Sequence, residues 1–330
     1  MNNSSEVQCT DPAASSAAAD AQARAMARAL NANPRYRVVE RFDGFPILDA
    51  MDVPLNSGVA AVVDVETTGL GPDDKLIELA LVVFAYDKAS GEVQGVLQAY
   101  EGLEDPGMSI APEAAAVHGI TQEMLSGQHL DDARITDLLG NVDFVVAHNA
   151  AFDRSMCEKR LEVFKNLPWV CSLHQVGWAQ HGIGSVKLEF IAYRLGFFYE
   201  AHRALGDCQA LLHALQLPLP AAPEGSEQNS SALRRLIQAR ELLSRRIWAL
   251  ASPFDTKDAL RARGYRWSDG VQPGAEKAWW REVTLQEYEQ ELAWLKSDVY
   301  KGRASAICVD DVDAYSRFSS RRSNARRVTL

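Results

Sequence analysis

The apolar residues of this chain change their period along its length, and the changes mark out elements. Val59 to Val65 is a continuous apolar run rich in β-branched residues, closed by the turn residues Thr67, Thr68 and Gly69. A run of this kind with such an ending predicts a buried central strand. Two further apolar segments follow, Lys75 to Tyr86 and Val93 to Tyr100. Three hairpin-linked strands therefore open the domain, not a βαβ unit. Asp143 to Ala147 predicts a short strand. Phe152, Met156, Leu161 and Phe164 then recur at helical spacing. They predict a helix from about Ala150 to Phe164, with Asn149 as its cap. Ala204, Leu205, Cys208, Leu211, Leu212 and Leu215 give one face of another helix beginning near Ala204.

The flanks read differently. Residues 1–19 are Ser/Ala-rich and are expected to be disordered. Asp20 to Leu30 predicts a short helix, and "YRVVERF" with "FPILDA" offers an edge strand or hairpin to the main domain. Together these form an N-terminal extension over 1–57. The main domain spans 58–217, and a Pro/Ser/Ala-rich linker spans 218–230. After it, "LRRLIQARELLSRRIWAL" predicts an amphipathic helix and Phe254 to Gly264 a shorter one. "YRWSDGVQPGAEKAWWREV" predicts a β-hairpin. Thr284, with Glu287 three residues on, caps a closing helix. These elements make a small α+β module over 231–303. Residues 304–330 read as a disordered basic tail. The chain contains no internal repeat.

Composition bounds the class. With 330 residues, 47% of them apolar, the chain has material for one large domain and a small one. No apolar run reaches the ~18 residues of a membrane span, and no basic start followed by an apolar stretch marks a secretory signal. The five cysteines show no CxxC spacing and read as reduced, in a cytoplasmic protein. The net charge of −10 is unevenly spread. Residues 58–230 carry 10 Lys+Arg against 24 Asp+Glu, whereas residues 231–303 carry 14 against 10. A basic module beside an acidic domain suits a phosphate backbone as partner, although an ordinary solvated surface has the same balance.

Three stretches carry the candidate chemistry: "VVDVETTGL" (Asp64, Glu66), "VVAHNAAFD" (Asp153) and "AHRALGDC" (His202, Asp207). On a strand, residues two apart share a face, so Asp64 and Glu66 point together. Asp153 falls in the first turn of its helix, where the dipole favours an anion. His202 lies just before a helix and suits a general base. Carboxylates gathered by folding repel one another, and such a set needs cations to be tolerable. Among Arg263, Arg266, Lys277 and Arg281 lie Tyr265, Trp267, Trp279 and Trp280. Arg266, Trp267, Lys277 and Trp279 are candidate nucleic-acid contacts by stacking and charge, although such aromatics more often form the core of a small domain.

"DVETTGL", "HGIT", "AHNAAFD" and "HRALGDC", in this order, resemble the motifs of the DnaQ-like 3′→5′ exonucleases. Within that family they resemble the subgroup with four acids and a histidine five residues before the last acid. The resemblance covers about Gly58 to Leu217. It implies a ribonuclease-H-like α/β fold, a mixed five-stranded sheet flanked by helices. It further implies two Mg²⁺ or Mn²⁺ ions held by Asp64, Glu66, Asp153 and Asp207, with Asp64 bridging and His202 as base. All-oxygen donors suit these hard ions. The backbone at Thr67, Thr68 and Leu70 would hold the terminal nucleotide, and His118 and Asn149 would line the groove. The expected substrate is a single-stranded or frayed 3′ end of DNA. The same chemistry on RNA, a non-catalytic nucleic-acid-binding subunit and a phosphohydrolase of small nucleotides are the rival readings. "QLPLP" (Gln216 to Pro220) resembles the short peptides that dock bacterial replication proteins on the sliding clamp, which makes the clamp or a polymerase a candidate partner.

Overall fold

The computed structural model describes residues 12–48, 53–54, 56–220, 231–271, 274–321 and 325–330. Helix α1 (Pro12–Asn31) begins earlier than the Asp20 expected, and residues 1–11 of the stretch read as disordered lie outside the described residues. Strand β1 (Glu40–Arg41) leads into a meander of β2 (Ser57–Thr67), β3 (Leu76–Asp87) and β4 (Val93–Leu103). Three short helices follow, α2 (Pro112–His118), α3 (Gln122–Leu125) and α4 (Asp132–Leu139). Next come β5 (Phe144–Ala147), α5 (Ala150–Arg160), β6 (Trp169–Cys171) and α6 (Ser172–Gln175). The domain closes with α7 (Leu188–Leu195), β7 (Phe197–Phe198) and α8 (Ala204–Gln216).

The main sheet has the order β4-β3-β2-β5-β6, with β3 antiparallel to β2 and β5 parallel to it. This is the mixed, helix-flanked ribonuclease-H-like sheet. The period of β2 explains the layers. Ala60 and Val62 pack with Cys208 and Leu211 of α8, while Ala61, Val63 and Val65 pack with Met156 and Cys157 of α5. Both faces are covered, which is why β2 and β3 read as unbroken apolar runs. The N-terminal segment does not simply extend this sheet. Strand β1 pairs in parallel with β7, and among the described residues the segment meets the edge strand β4 through an isolated bridge of Ile47 to Val96.

The boundary after the main domain falls later than residue 230. Helix α9 (Ala232–Arg240) buries Ala232, Leu233 and Leu236 in the first core. Pro218 bridges to Ser231, which pins the ends of the expected linker together, and residues 221–230 lie outside the described residues. The leucines of "QLPLP" are used internally, since Leu219 is buried in the same core and Leu217 packs against it. As placed here, the peptide is not available to a clamp groove.

The second sheet begins where an amphipathic helix was expected to continue. Ser244 to Ala249 is β8, because Ile247 and Ala249 alternate with Arg246 and Trp248 across two buried faces. It is followed by α10 (Lys257–Ala262), β9 (Arg266–Trp267), β10 (Trp279–Thr284) and α11 (Tyr288–Trp294). Thr284 and Glu287 exchange hydrogen bonds as a capping box just ahead of α11. The "tail" is a correction. It supplies β11 (Ala306–Val312) and β12 (Arg326–Thr329), giving the order β12-β11-β8-β10-β9. Asp311 pairs with Arg245 of β8 and with Arg326, so an arginine of the tail expected to be disordered is held by a strand carboxylate.

Between β11 and β12 the chain returns to the first domain. Arg154 on α5 is fully buried and donates to Glu158 (2.6 Å) and to the carbonyls of Tyr315 (2.6 Å) and Arg317 (2.8 Å). Ser319 and Arg321 complete the ring around Glu158. Replacing Arg154 would leave the carbonyls of Tyr315 and Arg317 without their donor and Glu158 with only Ser319 and Arg321. We expect Arg154→Ala to lower unfolding free energy by about 3–5 kcal/mol. Arg321→Ala, at a half-exposed partner, should cost less than half of that. Urea denaturation of the two variants checks the difference.

Candidate metal-assisted active site

Strand β2 delivers its acids to the end of the sheet. Asp64 lies opposite Ala80 and Glu66 opposite Glu78, and a bulge after Glu66 turns the chain away. Carboxylate oxygens of Asp64, Glu66 and Asp207 come within 4.8 Å of one another, close enough to share a cation. Asp207 reaches them from the first turn of α8, which packs on the same face of β2. Asp153 arrives from the opposite layer, buried in the first turn of α5 and hydrogen-bonded to the backbone of Val65. Its charge acts on Asp64 and Glu66, and it lies outside the tight trio.

The electrostatics follow from that crowding. Burial, then Asp153, Asp207 and Glu66, raise the Asp64 carboxyl well above the usual range. Burial and the Asp207 charge push Glu66 up to about 8, and burial pushes Asp153 up to about 7. Asp207 is raised by burial, but Tyr199 Oη (2.7 Å) and the backbone N–H of His202 (2.8 Å) donate to it and oppose the rise. The arginine near these acids, Arg203, is engaged by Glu78 and only partly offsets Glu66; a crowded set offering only oxygen donors fits hard divalent cations.

His202 stands outside the cluster with its side chain half exposed, and its Nε2 is 4.0 Å from Glu189. Its backbone is left-handed, with φ of 68°. A residue other than glycine pays about 1–2 kcal/mol for this conformation. The carboxylate of Asp207, by accepting the N–H groups of His202 and Arg203, holds the turn in place.

The remaining candidates divide. Leu70 is 87% exposed and Asn149 is exposed, both at the rim. Asn149 makes no side-chain cap to α5; only its carbonyl accepts from Phe152 and Asp153. Thr67 and Thr68 are buried and hold the turn, Thr67 Oγ1 to the Gly69 carbonyl and Thr68 Oγ1 to Asp74. His118 is buried behind them, its Nδ1 accepting from Ile120, and burial lowers its pKa. In the second sheet the aromatic–basic set splits by face. Arg266 shares a face with Trp280, while Trp267 and Trp279 form an edge-on pair on the other, where Trp279 packs on the helix-covered core. Lys277 is exposed.

Two neighbours went unremarked in the sequence. Glu78 is fully buried, and Arg203 donates to it at 2.6 Å and 3.1 Å while the N–H of Ala204 donates at 3.1 Å. The pair ties β3 to the start of α8. A signal was present, since Glu78 is the one acid within the apolar run Leu76 to Tyr86, and a lone acid there requires a partner.

The raised carboxyls give a direction to pH dependence. Unfolded, they titrate near 3.8–4.5; folded, Asp153 and Glu66 titrate near 7 and 8. Their contribution to stability is therefore full below about pH 4 and is lost as pH rises toward 8. In EDTA the melting temperature should fall between pH 5 and pH 8 through these groups. Added Mn²⁺ should restore more at pH 8 than at pH 5, and Asp64→Asn should flatten the slope. Thermal melts across that range measure all three effects.

Comparison with known proteins places the domain. The RNase_T family model, described as an exonuclease, matches residues 61–215. The DNA polymerase III PolC-type of Clostridium perfringens is 31% identical over 164 residues, covering 47% of this chain and 11% of that protein. A DNA polymerase III subunit epsilon-like protein of Rhodobacter capsulatus is 33% identical over 184 residues, covering 52% of this chain and 25% of that protein. The chain thus matches about a tenth to a quarter of the length of these relatives. Among solved structures, "Exonuclease X in complex with 5′ overhanging duplex DNA" aligns at 24% identity and a TM-score of 0.35, over 46% of this chain and 86% of that one. "Exonuclease I (apo)" aligns at 15% and 0.41, over 57% and 49%. Residues 61–215, which hold Asp64, Glu66, Asp153, His202 and Asp207, match the RNase_T exonuclease family, and the polymerase III relatives support a DnaQ-like exonuclease domain there.

Proposed function

We propose that this protein is a metal-dependent 3′→5′ exonuclease that releases nucleoside monophosphates from single-stranded or frayed 3′ ends of DNA. The observation that carries the reading is the convergence of Asp64, Glu66 and Asp207 within 4.8 Å at a strand end, with Asp153 beside them. These four would hold two Mg²⁺ or Mn²⁺ ions. Ions bound there supply Lewis-acid chemistry, polarising the phosphate and lowering the pKa of attacking water. His202, half exposed on its left-handed turn, takes the proton of that water. Tyr199 orients Asp207, and Glu78 with Arg203 positions the start of α8. The backbone at Thr67 and Thr68 and the exposed Leu70 and Asn149 meet the terminal nucleotide, with His118 behind them.

DNA is the preferred substrate because both named relatives are DNA polymerase III proteins. The same names support a replicative polymerase as partner and a bacterial cytoplasm as setting. No helix among the described residues is long and apolar enough to cross a membrane.

End-labelled single-stranded DNA, duplex DNA and RNA incubated with Mg²⁺ or Mn²⁺ test the reading directly. DNA shortened from its 3′ end to mononucleotides is the expected outcome, and faster loss of RNA would reverse the sugar assignment. Asp64→Ala and Asp207→Ala should each leave under about a tenth of the wild-type rate in a folded protein. His202→Ala should lose roughly 10²–10⁴-fold, the usual scale for a general base. His202→Gly should lose as much while matching or exceeding wild-type stability, because glycine accepts the left-handed turn. A His202 variant as fast as wild type would remove the histidine from the mechanism.

A further inference from the structure

The second sheet turns one face toward the exonuclease domain, and the two do not close on each other. A cleft of about 1120 Å³ lies between them. That is beyond the roughly 300–1,000 Å³ usual for a small-molecule site. One wall is the sheet face bearing Arg246, Trp248, Trp280 and Arg266, and the other includes His174 and Ser155. Ser155 and Ala151 place the cleft against one face of α5, the helix that also carries Asp153.

The chemistry of the sheet wall is uneven. Trp280 is flanked by two guanidinium groups, Arg246 at 5.0 Å and Arg266 at 5.8 Å from its ring. Trp248 lies 5.9 Å away at a tilt. Arg246 is partly matched by Glu282 at 3.6 Å, yet its Nε is buried without an acceptor among the described residues. Arg266 is exposed and has no carboxylate partner among the described residues. Its charge reaches across the cleft, since burial and then Arg266 lower the pKa of His174. The partly exposed Trp280 indole and the two guanidinium groups at its ring bring an aromatic surface and two cations together on the cleft wall.

We propose that this cleft binds single-stranded nucleic acid, with a base stacked on Trp280 and backbone phosphates on Arg266 and Arg246. The proposal rests on the nuclease reading for its choice of a polynucleotide. It moves the contact surface from the outer Trp267–Trp279 face to the face turned toward the catalytic domain. The acidic domain on its own, at 10 Lys+Arg against 24 Asp+Glu over residues 58–230, repels a polyanion. Arg266 gives the strand an exposed cation beside that domain, in a cleft where Arg246, Arg281 and Arg317 are paired with Glu282 and Glu291.

The test uses the full chain in an Asp64→Asn background, to hold substrate intact, with Mg²⁺ present. Binding of fluorescein-labelled 16-nucleotide oligo(dT) and oligo(rU) is followed by anisotropy across a salt series. Arg266→Glu should weaken oligo(dT) binding about 10-fold and flatten the log–log salt slope by about one. Lys296→Glu, the same charge change on an exposed helical position outside the cleft, should alter affinity less than about twofold. Equal binding of oligo(rU) would mean that the cleft reads no sugar, and weaker binding would assign it to DNA. As an independent readout, an oligonucleotide carrying 5-iodouracil should crosslink to Trp280 or Trp248. Arg266→Glu behaving like Lys296→Glu, or crosslinks confined to Trp267 and Trp279, would overturn the proposal. Hydrolysis of a dinucleotide by the wild-type protein separates the two failures. A chain that cleaves it but shows no cleft effect loses only this proposal. A chain that cleaves nothing yet crosslinks at Trp280 loses only the nuclease reading.

Discussion

Four carboxylates at one end of one strand repel each other, and much of the first domain can be understood as the means of keeping them together. None of Asp64, Glu66, Asp153 or Asp207 is placed by a loop. Two are fixed by the period of β2, and the others by the first turns of helices packed on opposite faces of the sheet. The helix dipoles at α5 and α8 favour the anions they carry. Asp207 is further held by a tyrosine hydroxyl and two backbone N–H groups, and one of those groups belongs to a histidine in a conformation it would not choose alone. Asp207 thus joins the left-handed turn at His202 to the crowding at Asp64, and both are held by the same core.

Most of the first domain was readable from the chain because its signals are local. The β2 run, the β3 run and the helical spacing from Phe152 onward each follow from neighbouring residues. So does the pairing of Asp64 with Glu66 on one face. The family match to residues 61–215 agrees with the motifs in "DVETTGL", "AHNAAFD" and "HRALGDC". Partners distant in sequence were not readable. Nothing near Glu78 announces Arg203, 125 positions away. Nothing in "SRFSSRRSNARRVTL" announces that its arginines meet Asp311 and Glu158, which is why an ordered return segment looked like a solvated tail. Alternation also misled at "SRRIWAL", where a strand continues the amphipathic pattern of the helix before it.

The path of the chain between its two cores carries one more implication. Helix α9 belongs to the first core, β8 to β11 to the second, Phe318 to the first again, and β12 to the second. The backbone therefore crosses the boundary three times after Ser231. A hinge absorbs its rotation in a few loop or element-terminal residues. Here three crossings would have to bend together, and one of them is clamped by the buried Arg154. The two sheets are coupled like layers stitched along several seams, and melting of one should carry the other with it in a single cooperative step.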